Sequence, residues 1–150
     1  MKRIFTYMIL PLLTVILLLS GCTRNNGNIG KQFGQWKVTS IVTDGTPDET
    51  YQGNMFWSFQ STTVEIKYVN QNHETVTTFG NYRIMDDTLF ITFPDEDRQP
   101  PQGLGLKPYI ENPLQIVRLT GSEMILAFND SDSDTDQGTA ATTVITLKKW

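Results

Sequence analysis

The chain has 150 residues, with 12 basic side chains, 16 acidic side chains and one cysteine. This length excludes two folded domains of ordinary size, and a single cysteine excludes a disulfide framework. Two of the basic residues, Lys2 and Arg3, lie in a leader, and without that leader 10 basic residues stand against 16 acidic ones, a net charge of −6. Because so acidic a chain is poorly suited to phosphate backbones, we expect no nucleic-acid partner.

Residues 1–21 are predicted to be a signal peptide. Lys2 and Arg3 are followed by an apolar run of 16 residues, Ile4 to Leu19, which Pro11 interrupts. A membrane-spanning helix needs about 20 apolar residues, so this run is short for one. Positive charge, an apolar stretch and then small residues are the order typical of a secretory signal peptide.

The apolar run ends in Leu19-Ser20-Gly21-Cys22, which resembles the bacterial lipobox. The resemblance implies that the Cys22 thiol receives a diacylglycerol and that Cys22 becomes the first residue of the mature chain. The alternatives are an ordinary signal peptide with a chance cysteine, or a short membrane anchor. Two or more acyl chains anchor a protein stably. We therefore expect a protein of the bacterial cell envelope that is attached to a membrane through this lipid.

Residues 22–32 are predicted to be a flexible tether. The stretch from Thr23 to Gly30 is polar, rich in Gly and Asn, and without periodicity. About eleven such residues have a root-mean-square reach of roughly 15–20 Å, which would keep a folded domain near the membrane surface. Thr23 is not acidic, so nothing here resembles the inner-membrane retention signal of enterobacterial lipoproteins. In a Gram-negative cell the outer membrane is therefore favoured.

Residues 33–150 are predicted to form one all-β domain. From Phe33 onward no segment sustains helical spacing for three turns, whereas alternation with a period of two recurs. The pattern predicts eight strands, at residues 36–42, 54–59, 63–69, 75–84, 88–93, 114–119, 123–128 and 142–149. Eight short strands with mostly tight turns are typical of an antiparallel up-and-down barrel or a sandwich.

A resemblance to a known family favours the barrel. Gly34-Gln35-Trp36 is similar to the Gly-x-Trp that opens the first strand of lipocalins. The hairpin from Gly80 to Leu89 and the strands from Leu119 to Trp150 resemble the small lipocalin-like lipoproteins of Bacteroidetes. The resemblance implies an eight-stranded lipocalin-like barrel over Phe33 to Trp150.

Trp36 is the expected plug of this barrel. In lipocalins that Trp closes one end, often under a basic residue, and here Lys148 or Lys149 could supply the cation. In an up-and-down meander alternate turns fall at alternate ends. The loops 70–73, 94–113 and 130–138 are therefore expected together at the open end.

The barrel is expected to bind a small apolar or amphipathic ligand. A ligand cavity is mostly apolar with a few polar groups. The candidate lumen or lid residues are Trp57, Phe59, Tyr68, Phe79, Tyr82, Phe93, Leu104, Leu106 and Phe128. The two leucines belong to the proline-rich segment 94–113, which is either a lid over the barrel mouth or a stiff crossover packed on the barrel wall. Because the barrel is small, aromatic rings that fill its interior are the alternative to a cavity.

No enzymatic role and no cofactor are expected. His73 is the single histidine and lies in a predicted turn, and no Gly-x-Ser-x-Gly motif is present. The carboxylates of Asp86-Asp87 and of Asp95-Glu96-Asp97 lie in loops, where neighbouring side chains point apart into solvent. These arrangements do not provide the positioned acid and base that catalysis needs.

The stretch from Asp130 to Gly138 is the most acidic in the chain. Its alternate carboxylates, Asp130, Asp132, Asp134 and Asp136, are weak candidates for binding Ca²⁺. Counted from Asp130, Thr135 replaces the glycine of an EF-hand loop, and Ala141 replaces its bidentate glutamate. We therefore prefer a solvated loop without a metal.

Two functional hypotheses remain open. The first is a lipid-anchored, non-catalytic barrel that binds a small molecule at its mouth. The second is an interaction or structural module of the envelope, whose filled barrel presents loops to a protein or glycan partner. The two differ in whether the interior holds a guest.

Overall fold

The computed structural model describes residues 30–70, 72–94, 99–101, 104–130 and 141–150. The predicted signal peptide and Cys22 lie outside these ranges. The described residues form nine strands: β1 (Gly34–Thr43), β2 (Thr46–Pro47), β3 (Met55–Gln60), β4 (Thr63–Val69), β5 (Thr75–Met85), β6 (Thr88–Thr92), β7 (Glu111–Leu119), β8 (Glu123–Asp130) and β9 (Ala141–Lys149). Within the same ranges, no helix has the length and apolar character needed to cross a bilayer.

The strands form one antiparallel sheet that closes on itself. The strand order is β2-β1-β3-β4-β5-β6-β7-β8-β9, and β9 also pairs with β1. That closing register runs from Trp36 opposite Lys149 to Thr43 opposite Thr143. The two-residue β2 pairs with the end of β1 and stays outside the ring. The result is a closed eight-stranded up-and-down barrel, which confirms the predicted fold and removes the exposed edges of an open sheet.

The predicted strands match the observed ones closely. The third predicted strand coincides with β4, and most of the other bounds differ by one or two residues. The main differences are the unpredicted β2 and the start of β7, which begins at Glu111 rather than Leu114. The sequence pattern predicts that the proline-rich segment 94–113 ends at Pro113 and that the strand begins after it. In the structure Pro113 lies within β7, opposite Phe90, with an exposed side chain.

Alternation along the strands separates the core from the surface. On β3, Met55, Trp57 and Phe59 are buried, while the intervening residues are only partly buried. β1 and β7 each contain a register shift, between Val38 and Ser40 and between Ile116 and Arg118. Each shift is a bulge, which turns the following side chains to the other face. The bulge in β7 leaves Val117 60% exposed despite its apolar side chain.

The two ends of the barrel differ in their connections. We call the end where β1 begins the plugged end and the opposite one the open end. Short turns at residues 61–62, 86–87 and 120–122 lie at the plugged end. The longer connections between β1 and β3, between β4 and β5 and between β6 and β7 begin and end at the open end, and β8 ends and β9 begins there. Residues 131–140, between β8 and β9, lie outside the described ranges.

Candidate ligand site at the open end of the barrel

Trp36 lies near the start of β1, at the plugged end. Its ring is fully buried, and its indole N–H donates to the carbonyl of Gln32 at 2.7 Å. The Lys149 ammonium lies 4.4 Å from the centroid of the Trp36 ring and also donates to the Phe33 carbonyl. Burial lowers the pKa of Lys149. The sequence offered Lys148 and Lys149 as the cation, and the structure places Lys149 there.

The interior above Trp36 is filled by side chains. Trp57, Phe59 and Phe93 have no exposed surface, so they border neither solvent nor a void that could hold a water molecule. The rings of Phe59 and Tyr82 pack edge to face with centroids 5.0 Å apart. A Cβ at Gly80 would lie 3.3 Å from the Phe93 ring, so glycine makes room for that ring. These predicted lumen residues therefore belong to a packed core.

Phe79 does not face the interior, and the prediction that it lines the lumen is wrong. Its neighbours Thr78 and Gly80 are buried, while Phe79 is 36% exposed on the outer face of β5. Because side chains alternate along a strand, Phe79 and Tyr82 lie on opposite faces. Tyr82 points inward and is buried, and so is Phe128 on β8.

The described part of the proline-rich segment is packed on the barrel. Leu104 and Leu106 are 1% and 8% exposed and belong to the core cluster. Both leucines are therefore part of the packed core. Replacing both leucines with serine is therefore expected to destabilise the fold, because buried apolar surface would be lost.

Asn112 fixes this segment, and sequence reasoning did not identify it. Its amide group is buried and donates to the carbonyls of Ile91 at 3.1 Å, Lys107 at 2.9 Å and Ile110 at 3.2 Å. Its Oδ1 accepts from the N–H of Lys107 at 2.7 Å. The side chain thus ties the approach to β7 to the neighbouring strand β6.

An open pocket of about 730 Å³ lies at the open end, between the β1–β3 connection and the β4–β5 turn. Its lining residues combine carboxamides, aromatic rings and small apolar groups, and they are Asp48, Thr50, Tyr51, Gln52, Asn54, Tyr68, Val69, Asn70, Asn72, His73 and Val76. We call this the mouth pocket. Of the predicted ligand residues, it contains Tyr68.

One wall of the mouth pocket is held by Tyr51 and Asn54. The Tyr51 hydroxyl donates to the Val38 carbonyl at 3.0 Å and accepts from the N–H of Met55 at 3.2 Å. Burial raises the pKa of Tyr51 to about 12. The Asn54 amide donates to the Val69 carbonyl at 3.0 Å. These bonds fix a connection that has little regular secondary structure.

The opposite rim is the turn between β4 and β5. Asn70 Oδ1 accepts from the N–H groups of Asn72 and Glu74, each at 2.9 Å. The N–H of His73 donates to the Asn70 carbonyl at 3.0 Å, and His73 has a φ of 62°. The side chain of Asn70 thereby holds the turn in one conformation. His73 is an exposed rim residue, as the sequence predicted for a solvated turn.

The mouth pocket offers both apolar contact and unused polar groups. Tyr68 packs against the core cluster and is the cross-strand partner of Val76. Among the described residues, the Tyr68 hydroxyl and the side-chain amides of Gln52 and Asn72 have no hydrogen-bond partner. Asp48 accepts from the hydroxyl and the N–H of Thr50, which lowers its pKa. The arrangement suits a guest with an apolar part and hydrogen-bonding groups.

The connection 44–54 was not predicted to contribute to a site, because its residues show no strand periodicity. The available signal was Tyr51-Gln52-Gly53-Asn54, which combines an aromatic ring with two carboxamides in a loop. Loops at the end of a rigid scaffold often carry binding residues. Such a loop could have been included as a candidate on that ground.

No metal centre appears in the part of the chain that the structure describes, where no three His, Cys, Asp or Glu residues come together. Of the weak Ca²⁺ candidates, Asp130 is the last residue of β8, and Asp132, Asp134 and Asp136 lie outside the described residues. Asp86 and Asp87 form the tight turn between β5 and β6, as predicted. Of the acidic group 95–97 nothing is described.

Comparison with known proteins agrees with this geometry. A family model described as a lipocalin-like domain matches residues 17–133. A lipocalin-like protein from Bacteroides uniformis has a similar structure, with a TM-score of 0.60 and 18% identity over 81% of this chain and 100% of that one. An uncharacterized protein from Bacteroides eggerthii has a TM-score of 0.55 and 18% identity over 79% of this chain and 99% of that one.

Apocrustacyanin C1 is more distant, with a TM-score of 0.53 and 12% identity over 84% of this chain and 64% of that one. No curated protein matches the sequence of the chain. At these identities the structural likeness shows the barrel fold alone.

Proposed function

The chain belongs to the lipocalin-like domain family, and on that premise we propose that it is a lipid-anchored protein of the bacterial envelope that binds a small amphipathic molecule at the open end of its barrel. The observation that carries this proposal is the mouth pocket, a concavity of about 730 Å³. That volume lies within the range of roughly 300–1,000 Å³ typical of small-molecule sites. No catalytic step is proposed.

The packed interior supports a site at the mouth rather than deep in the barrel. Eight-stranded barrels either fill their interior with side chains or hold one small ligand. Here Trp57, Phe59 and Phe93 are fully buried against their neighbours, whereas Tyr68 and Val76 remain partly accessible. A guest at the mouth gains contact with these two side chains without displacing the core.

The chemistry of the mouth pocket indicates an amphipathic ligand. The ring of Tyr68 and the side chain of Val76 provide apolar contact at the inner side. The amides of Gln52 and Asn72 provide donors and acceptors at the outer side. The carboxylate of Asp48 disfavours an anionic group beside it, so we propose a neutral or cationic head group.

Attachment to the membrane is the second part of the proposal. It is supported by the order of charge, apolar run and Leu19-Ser20-Gly21-Cys22 in the sequence. The acylated Cys22 would precede the barrel by a short polar tether. In a Gram-negative cell we propose the outer membrane, because Thr23 is not acidic.

The second candidate function is an envelope interaction module that presents its loops to a protein or glycan. The observation favouring it is the full burial of Trp57, Phe59 and Phe93 within the described part of the barrel. This candidate needs no small guest. It therefore makes a different prediction for protein taken from its natural source.

Native mass spectrometry of protein purified from its source tests the proposal. We expect a co-purifying small molecule on the wild-type chain. The double variant Tyr68→Ala with Val76→Ser should lose it, whereas the matched control Phe79→Ala, on the outer face of β5, should keep it. If the wild-type chain carries no guest under gentle conditions, the interaction module becomes the better account.

A further inference from the structure

A group of exposed and partly buried aromatic and basic side chains lies on the outer face of the barrel near the plugged end. Trp150, which follows β9, is 71% exposed, and Phe33, which precedes β1, is 42% exposed. The other members are Lys37 on β1, Phe56 on β3 and Lys148 on β9. We call these five residues the aromatic–lysine patch. Large aromatic rings that remain exposed together usually mark a contact surface.

Contacts within the patch hold it in one arrangement. The rings of Phe56 and Trp150 meet edge to face with centroids 5.3 Å apart. The Lys37 ammonium lies 5.9 Å from the Phe56 centroid and 5.3 Å from the Trp150 centroid. The backbone N–H of Trp150 donates to the Gln35 carbonyl at 3.0 Å. Lys37, Phe56 and Trp150 are therefore held together, with Lys148 beside Lys37 on the neighbouring strand.

The charge of the patch contrasts with that of the rest of the molecule. Lys37 and Lys148 are cross-strand partners, so two cations lie side by side in a chain of net charge −4. The nearby carboxylate of Glu123, opposite Lys148, is paired with Arg118 at 3.2 Å. Asp86 and Asp87 also lie at the plugged end, but on the β5–β6 turn, across the barrel from β1. The patch therefore presents positive charge and aromatic surface together.

The open end has the opposite character. Its described connections carry four acidic residues and one basic residue, which are Asp44, Asp48, Glu49, Glu74 and Lys107. An anionic surface would therefore attract the plugged end and repel the open end. The chain also enters the barrel at the plugged end, because Gly30 to Phe33 lead directly into β1.

We propose that the aromatic–lysine patch lies against an anionic lipid surface, with Trp150 and Phe33 at head-group depth. Trp and aromatic rings with a polar edge favour the membrane interface, and each lysine near an anionic leaflet adds to the attraction. Residues 22–29, which precede this end, would join it to the anchor. This orientation rests on the lipid anchor of the proposed function. It would turn the mouth pocket away from the membrane.

The contact itself does not require the acyl group, so it can be measured without it. The described core lies between Trp36 and Leu147, and the barrel closes on itself, so a chain beginning at residue 23 contains the whole fold. Trp36 and Trp57 are fully buried, while Trp150 is exposed. Quenching of tryptophan fluorescence by lipid therefore reports Trp150.

The experiment mixes this chain with vesicles of equimolar phosphatidylcholine and phosphatidylglycerol, with brominated phosphatidylcholine as the quencher. We expect binding, quenching of Trp150, and weaker binding as salt is raised. Lys37→Ser and Lys148→Ser should each weaken binding about fivefold, because each removes one cation near the lipid. Trp150→Ser should weaken binding and abolish the quenching.

The matched controls lie at the open end. Lys107→Ser and Tyr109→Ser should leave vesicle binding unchanged, and Tyr109 is 52% exposed, which makes it a fair match for Trp150. Circular dichroism checks that each variant is folded. The proposal is overturned if the wild-type chain ignores the vesicles, or if the open-end variants weaken binding as much as the patch variants do. Neither result would affect the guest test or the acylation of Cys22, so failure of this proposal is distinguishable from failure of the proposed function.

Discussion

The ammonium group of Lys149 lies 4.4 Å from the ring centroid of Trp36, and the two residues face each other across the strand pair that closes the barrel. Closure of the sheet and closure of one end therefore depend on the same contact. A cation over an indole ring contributes about 0.5–2 kcal/mol. If Trp36 is the plug of this end, as we expect, a guest enters from the opposite side.

The two buried tryptophans should respond differently to loss of the indole N–H. The indole N–H of Trp36 donates to the carbonyl of Gln32, whereas the indole N–H of Trp57 has no acceptor among the described residues. Trp36→Phe should therefore cost about 1 kcal/mol more unfolding free energy than Trp57→Phe, since only the first loses a hydrogen bond. Trp36→Ala should cost about 3–5 kcal/mol. Urea denaturation followed by circular dichroism measures each value, and a larger loss for Trp57→Phe would contradict the assignment.

Tyr51 should make the stability of the barrel fall at alkaline pH. Its pKa is raised from the ordinary value of 10.0 to about 12 because its hydroxyl is partly buried. The folded state therefore favours the protonated phenol. This contribution is fully present below pH 10 and is lost as the pH rises through about 12.

The comparison with Tyr51→Phe isolates this effect. At neutral pH the variant should lose about 1–3 kcal/mol, because the N–H of Met55 and the carbonyl of Val38 lose their partner. The difference between wild type and variant should shrink between pH 10 and 12. An ultraviolet titration in which all tyrosines of the native protein ionise near pH 10 would disagree with this account.

Asn112 should be important for stability, although it is a polar residue beside a proline-rich segment. Asn112→Leu removes the hydrogen bonds from its side-chain amide to the carbonyls of Ile91, Lys107 and Ile110. We expect the unfolding free energy to fall by about 2–4 kcal/mol, which a lower midpoint of urea denaturation would show. Asn81→Ser, at an exposed position, is the matched control and should change the unfolding free energy by less than about 0.5 kcal/mol. Equal effects of the two substitutions would show that Asn112 does not hold the segment.

The sequence predicted the strands well because most of them alternate cleanly. In β4, Val64 and Ile66 are buried and separated by more exposed residues, so its bounds follow from the period. The approach to β7 was harder, since its hydrogen bonds come from a side chain, that of Asn112, rather than from a repeating pattern. β2 has two residues and is too short to show a period.

The candidate site was predicted less well than the fold. Phe79 was predicted to line the lumen because it is aromatic. The alternation along β5 puts its side chain on the outer face instead. Val117 is exposed through a bulge, which composition does not reveal. The mouth pocket depends on how two irregular segments approach each other, and only Tyr68 among the predicted ligand residues lies on it. Such long-range approach is not encoded in local periodicity.

Cys22→Ala should leave an unprocessed precursor. In the lipobox pattern the thiol must be acylated before cleavage, so alanine at this position blocks both steps. Metabolic labelling with a fatty acid, followed by a gel that separates precursor from mature chain, gives both readouts. Thr23→Ser, at the position directly after the cysteine, is the control and should be processed normally. Normal processing of the wild-type chain without incorporation of lipid would overturn the anchor.

The most direct test of the account is a map of backbone amide chemical shifts, in the presence and absence of the guest recovered from the natural source. We expect the shifts to change in residues 48–54 and 68–76, around Tyr51, Tyr68 and Asn72. Trp36, Trp57 and Leu126 in the packed interior should stay unchanged. Changes centred on these interior residues, with none in the mouth pocket, would contradict the claim that the ligand binds at the open end.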